Sequence, residues 1–163
     1  MKKSVVTLPE MYLAGVTVRT SNASEMDHAT AQIGATVQKY FQGGMAEQIV
    51  QRKKPGTTYS VYTEYESDVT GAYTYFIGEE IEVLDTLPDG FVHLTIPAQK
   101  YVKFTNGPGP MPDVCIQAWQ QIWQMDAATL GGERCYQADF EVYDERAHDP
   151  AQVELDLYIG VKV

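Results

Sequence analysis

Cationic side chains are scarce in this chain: 12 lysines and arginines stand against 22 aspartates and glutamates, a formal net charge of −10. Phosphate backbones are held by clustered Lys and Arg, so direct nucleic-acid binding is not expected. Histidine is scarcer still, and His28, His93 and His148 lie scattered without ligand spacing; no metal site is expected from them. Cys115 and Cys135 are the two cysteines, and their spacing fits neither a metal nor a redox motif. Reduced thiols and a cytoplasmic setting are the expectation. No apolar run approaches membrane-spanning length. Met1-Lys2-Lys3-Ser4-Val5-Val6 resembles a signal n-region only briefly before Pro9 and Glu10 interrupt it. A glycine-rich phosphate loop is also missing, because Gly107-Pro108-Gly109-Pro110 is too stiff and reads as a connector. Nothing here calls for a cofactor or a membrane.

What is present is an aromatic, globular chain. Its 163 residues suit one domain with a sizeable core, and 44% are hydrophobic. Eleven tyrosines and two tryptophans exceed what a small core requires. The most informative stretch is Asp139-Phe140-Glu141-Val142-Tyr143-Asp144, followed by Glu154-Leu155-Asp156-Leu157-Tyr158-Ile159-Gly160. Both alternate with the period of a strand. Phe140 and Val142 form one face of the first, and Leu155, Leu157 and Ile159 one face of the second. Pairing as a hairpin is expected to project Glu141 and Tyr158 from the same side, a carboxylate among phenol rings. Such a site suits a cationic, partly apolar ligand; the competing reading is a solvated polar face.

The rest of the chain supplies strands and two helices. Met11–Thr20 reads as a strand. Ser21, Asn22 and Ser24 offer cap oxygens to a helix whose apolar positions run Met26, Ala29, Ile33, Val37, Tyr40 and Phe41, with Glu25 in its first turn. Gly43-Gly44 ends it. Glu47–Gly56 reads as a loop or short helix, with Arg52-Lys53-Lys54 solvated. Thr58–Glu66 and Ala72–Val83 are strands joined by a turn at Asp68–Gly71. Phe91–Thr95 and Tyr101–Thr105 are short strands about Pro97, and Gly107–Pro110 breaks the sheet. Asp113 caps a helix through Met125 whose stripe is Cys115, Ala118, Trp119 and Ile122, with Trp119 and Ile122 buried.

This order is a duplication, strand-helix-strand-strand repeated over about 11–84 and 91–163. Tyr75-Phe76-Ile77-Gly78 matches Leu157-Tyr158-Ile159-Gly160, making Phe76 the mate of Tyr158 and Thr63 the mate of Glu141. The expected class is α+β, an antiparallel sheet with two principal helices on one face and a ligand groove on the other.

Four segments carry a resemblance: Met11-Tyr12-Leu13-Ala14-Gly15, Ile96 to Phe104, Trp119-Gln120-Gln121-Ile122-Trp123, and the hairpin Phe140–Tyr143 with Leu157–Val161. Together the chain resembles gyrase-inhibitor-like, AraC-type effector-binding domains, and among them the integron-cassette-associated effector-binding proteins. The resemblance implies a groove for small lipophilic cations, with the pocket glutamate at Glu141 and an aromatic neighbour at Tyr158. One departure is Gly160, where many members carry Pro; the expected consequence is a less blunted edge strand. Regulators of this family add a helix-turn-helix, for which too few residues are left over. Met1 to Glu10 is the only substantial extension, so a stand-alone binding module over 1–163 is expected.

The aromatic wall expected around Glu141 comprises Tyr158, Tyr143, Phe76, Tyr65 and Tyr59, with Trp123 at the rim. Two other functions stand beside drug binding. One is hydrolysis of electrophilic small molecules with Glu141 orienting water. The other is contact with a protein partner, as in gyrase modulation.

Overall fold

Period-two patterning becomes eight strands in one antiparallel sheet, here in a computed structural model that describes residues 1–83 and 86–163. The strands are β1 (Lys2–Leu8), β2 (Met11–Ser21), β3 (Thr58–Thr63), β4 (Ala72–Ile81), β5 (Val92–Ile96), β6 (Gln99–Gly109), β7 (Ala138–Tyr143) and β8 (Val153–Val161). Their order is β1-β6-β8-β7-β3-β4-β2-β5. Four helices accompany them: α1 (Asn22–Glu25), α2 (Ile33–Gln42), α3 (Asp113–Trp123) and α4 (Ala127–Leu130). The α+β class and the antiparallel sheet stand as expected. The end of the first repeat at residue 84 lies outside the described residues.

Pairing fixes the internal symmetry. Phe76 faces Val61, Val61 faces Phe140, and Phe140 faces Tyr158. That row reads alike from either end, so a pseudo-two-fold passes between β3 and β7 at the Val61–Phe140 pair. Phe76 and Tyr158 are mates, as expected. The mate of Glu141, however, is Tyr62 and not Thr63, a shift of one residue. Because side chains alternate, one residue of shift exchanges the two faces of the sheet.

The two halves also trade strands. β1 precedes the first unit yet pairs with β6 of the second, while β5, at the start of the second, pairs with β2 of the first. β1 occupies the stretch expected to be an extension. It is an edge strand, and its Lys2 and Lys3 are the charged residues that discourage edge-to-edge pairing. β6 likewise runs on through Gly107-Pro108-Gly109, shifting register after Asn106 rather than ending there.

The first helix departs from its apolar pattern. Ser21 caps α1 through the Ser24 amide, but the helix stops at Glu25. The Glu25 carboxylate accepts the amides of Gln32 at 2.9 Å and Ile33 at 3.0 Å, which starts α2 afresh. An anion at a helix start is favourable, and Met26 is left 78% exposed outside the helix. α3 keeps its stripe, with Val114, Ala118, Trp119 and Ile122 buried. Asp113 lies inside its first turn and makes no cap.

α2 packs on β2 and β4, and α3 on β6 and β8. Leu155, Leu157, Ile159 and Val161 of β8 meet α3 in one cluster, each burial contributing roughly 1.5–3 kcal/mol. The helices therefore sit over the strands flanking the central pair, β3 and β7, which lies between them. On the reverse face Val6 and Leu8 of β1 and Leu94 of β5 pack with Phe76, Val61 and Phe140. The sheet thus curls around a second core that no helix covers.

Candidate functional site

Between α2 and α3, over the floor made by β3 and β7, runs a groove in two lobes. The larger, about 520 Å³, is lined by Ile33, Val37 and Phe41 of α2, Cys115 and Ile116 of α3, and Ser60, Tyr62, Tyr75, Glu141 and Tyr143 of the sheet. The smaller, about 220 Å³, holds Tyr65, Tyr73, Trp119, Trp123 and Arg134. Ile33, Tyr62, Cys115 and Ile116 line both lobes and form the waist.

Glu141 sits on the floor of the larger lobe, 2% exposed. Strand pairing sets its neighbours: it faces Ser60 on β3 and Leu157 on β8. Tyr62 donates to its Oε2 at 2.7 Å, and the Trp119 indole donates to the same oxygen at 2.7 Å. Tyr143 donates to Oε1 at 2.5 Å and lies 3.4 Å from the Cys115 sulfur. Among the described residues no ion pair involves Glu141. Donors satisfy the carboxylate, but no cation offsets its charge, a costly arrangement in a low-dielectric site.

The surrounding acids respond to that charge. Burial, reinforced by the Glu141 carboxylate, pushes the Tyr62 and Tyr143 phenols well above their usual values. The same two causes push the Cys115 thiol up. Thiolate is the nucleophilic form of cysteine, so Cys115 is held in its unreactive state. Tyr75 reaches the Ser60 hydroxyl at 2.8 Å, and its ring and that of Tyr73 meet Tyr62 edge to face at 5.5 Å.

The expected site residues divide between two faces. Glu141, Tyr143, Tyr65 and Trp123 are brought together in the groove. Tyr158, Phe76 and Tyr59 are not: they belong to the reverse-face core. Glu141 and Tyr158 do not share a side, because Phe140 is the residue opposite Tyr158. The Phe140 and Tyr158 rings stack there, centroids 4.6 Å apart. The groove that holds the acid is accordingly on the helix-bearing face and not opposite it. Tyr59 and Tyr158 line a separate hollow of about 440 Å³ on the reverse face, rimmed by Lys53, Lys54, Glu80 and Asp156. Tyr65 reaches the groove although Tyr59 does not, since Glu64 adopts φ 51° and breaks the alternation. Sequence reasoning missed Tyr62 and Tyr75 and took Trp119 for core alone. The signal was available in part, because Ser60 and Tyr62 share the parity of the β3 face that meets Glu141.

Two charged stretches also differ from expectation. Arg52 is not simply solvated but pairs with buried Glu79 at 3.2 Å, and Lys53 reaches Glu80 at 3.5 Å. Gly160 lies on an inner strand, between β6 and β7. Its amide donates to Asp139 Oδ1 at 2.7 Å, a bond that proline has no N–H to make.

Comparison with known proteins shows the family and the fold. Residues 4–161 match the family model for the integron-associated effector binding protein, Cass2. The chain is 32% identical over 149 residues to YobU of Bacillus subtilis, described as a transcriptional regulator, covering 91% of each. Its fold matches integron cassette protein VCH_CASS2 from the mobile metagenome of Vibrio cholerae with a TM-score of 0.78 at 28% identity, over 98% of this chain and 95% of that one. It also matches SAV2435, solved bound to tetraphenylphosphonium, with a TM-score of 0.76 at 17% identity over 99% and 94%. The chain belongs to the integron-associated effector-binding protein family.

Proposed function

We propose that this protein is a binding module for small lipophilic cations, which it takes into the groove between α2 and α3. One observation carries this reading: Glu141 is buried on an aromatic floor with no counter-ion. An entering cation supplies the missing charge, and the faces of Tyr62, Tyr75 and Tyr143 add cation–π attraction of about 0.5–2 kcal/mol per good contact. Apolar burial against Ile33, Val37 and Ile116 adds roughly 25 cal/mol per Å². A micromolar dissociation constant requires about 8 kcal/mol, within reach of these contributions. The tetraphenylphosphonium held by SAV2435 is a cation of this class. Hydrolysis is the weaker reading, because Tyr62, Trp119 and Tyr143 occupy the oxygens with which Glu141 would orient water.

Trp119 and Trp123 both line the groove, so their fluorescence reports occupancy. Titration with tetraphenylphosphonium is expected to quench it saturably in the micromolar range. Tyr158→Ala, on the reverse face, is expected to leave the titration unchanged. No saturable quenching, or its loss in Tyr158→Ala, overturns the assignment to this groove.

A further inference from the structure

Resting on that reading of the groove, we infer that it selects cations that carry no N–H donor: quaternary ammonium, phosphonium and N-alkylated ring cations over protonated amines of equal size. The ground is the hydrogen-bond inventory of Glu141. A carboxylate has about four lone-pair sites. Tyr62 and Trp119 both bond Oε2, and Tyr143 bonds Oε1. One site on Oε1 is left without a donor; Cys115, 3.4 Å from the Tyr143 hydroxyl, lines the same lobe. The charge of the acid is uncompensated while three of its roughly four acceptor sites are taken, and the two properties reach a ligand differently. Charge acts through the field and asks for no contact geometry. Hydrogen bonding asks for vacant lone pairs, and beyond the one site left on Oε1 a ligand N–H obtains another only by displacing a phenol or an indole that then lies buried without a partner.

A protonated amine thus meets two penalties that a quaternary cation avoids. It sheds strongly bound water on entering the groove, and its N–H groups find at most one vacant site on Glu141, the other carboxylate of the lobe, Asp144, being already paired with Arg146. The phenol oxygens of Tyr62 and Tyr143 remain as acceptors, but they are neutral and lack the charge-to-charge attraction that a carboxylate oxygen offers an ammonium N–H. A donor-free cation loses little water, needs no acceptor and turns its whole surface to the aromatic faces. Val37, Phe41, Met111 and Ile116 give the lobe a mostly apolar wall, with Asp144 and His148 its further titratable residues.

The test uses one ring and one charge. 2-(2-Naphthyl)ethylammonium and its N-methyl, N,N-dimethyl and N,N,N-trimethyl forms all carry a single positive charge at pH 7, while their N–H groups fall from three to none. A ring-methylated primary ammonium controls for added apolar surface, and 2-naphthylethanol is the neutral reference. Calorimetry on the full chain is expected to show at least a tenfold gain from primary to trimethyl beyond the ring-methyl control. In Tyr143→Phe, which frees one lone pair of Oε1, that ratio is expected to shrink as the primary ammonium gains. Charged members that outbind the alcohol yet run flat along the series, with Tyr143→Phe unchanged, overturn the inference and leave cation binding standing. No charged member outbinding the alcohol overturns both.

Discussion

Asp139 and Glu141 stand two residues apart on the same face of β7, and both are closed to solvent, at 0% and 2% exposure. Asp139 accepts Arg134 and Tyr65 at 2.7 and 2.6 Å on one oxygen and the Gly160 amide on the other. Arg134 itself lies 4.4 Å from the Tyr136 ring. That carboxylate is charge-neutralised and tied to backbone; it joins β7 to β8 and to the segment after α4. Glu141 has as many donors, yet all come from neutral side chains on the groove floor and on α3. The contrast separates a structural acid from a receptive one by its counter-ion, since burial and hydrogen bonding are shared.

The largest effect expected from breaking this contrast is on stability. Arg134→Met strands the Asp139 charge in the interior and is expected to cost about 3–5 kcal/mol, read by urea unfolding. A loss below about 1 kcal/mol would mean that Asp139 does not depend on its partner. On the receptive side, Tyr62→Phe removes one donor from Glu141 and is expected to cost roughly 1–3 kcal/mol in the same assay. Giving Glu141 the neighbour that Asp139 has should sharpen the comparison. Ile116→Lys places a cation on the groove wall, and affinity for tetraphenylphosphonium is expected to fall about tenfold, near 1.4 kcal/mol, with the fold intact by circular dichroism.

A smaller effect is expected at the edge of the groove, where Arg146 pairs with Asp144 at 2.9 Å and with Asp156 at 2.8 Å. Burial raises both carboxyls, but the Arg146 bonds, and Thr105 at Asp156, outweigh it and leave both below their usual value of 3.8. A depressed folded-state pKa stabilises above the unfolded value and loses that stabilisation as pH falls through the folded one. Arg146→Met is therefore expected to be less stable than the parent at pH 7, and the gap should close below about pH 4. A gap that persists at pH 2 would assign the effect to packing.

The sequence made every strand but β1 legible, and most of the stripe on α3, because these are written in local periodicity; the duplication showed in the element order, one residue out of register at Glu141. Glu141 and Tyr143 could be paired because they lie two apart on one strand. The face they share was not legible. It depends on Phe140, rather than Glu141, standing opposite Tyr158, and register is settled by the whole sheet. Tyr65 depended on one left-handed residue, Glu64. The break before α2 depended on the Glu25 side chain reaching forward to Gln32 and Ile33, which helical spacing does not encode. β1 gains its role only from β6, about a hundred residues away.

The central claim is that Glu141 acts through uncompensated charge. Glu141→Gln keeps the shape and removes the charge, so it should be titrated with a lipophilic cation and with a neutral molecule of the same outline. The cation is expected to lose roughly 1–3 kcal/mol, about five- to 150-fold in affinity, while the neutral molecule changes less than about twofold. Equal losses for both ligands would contradict the account.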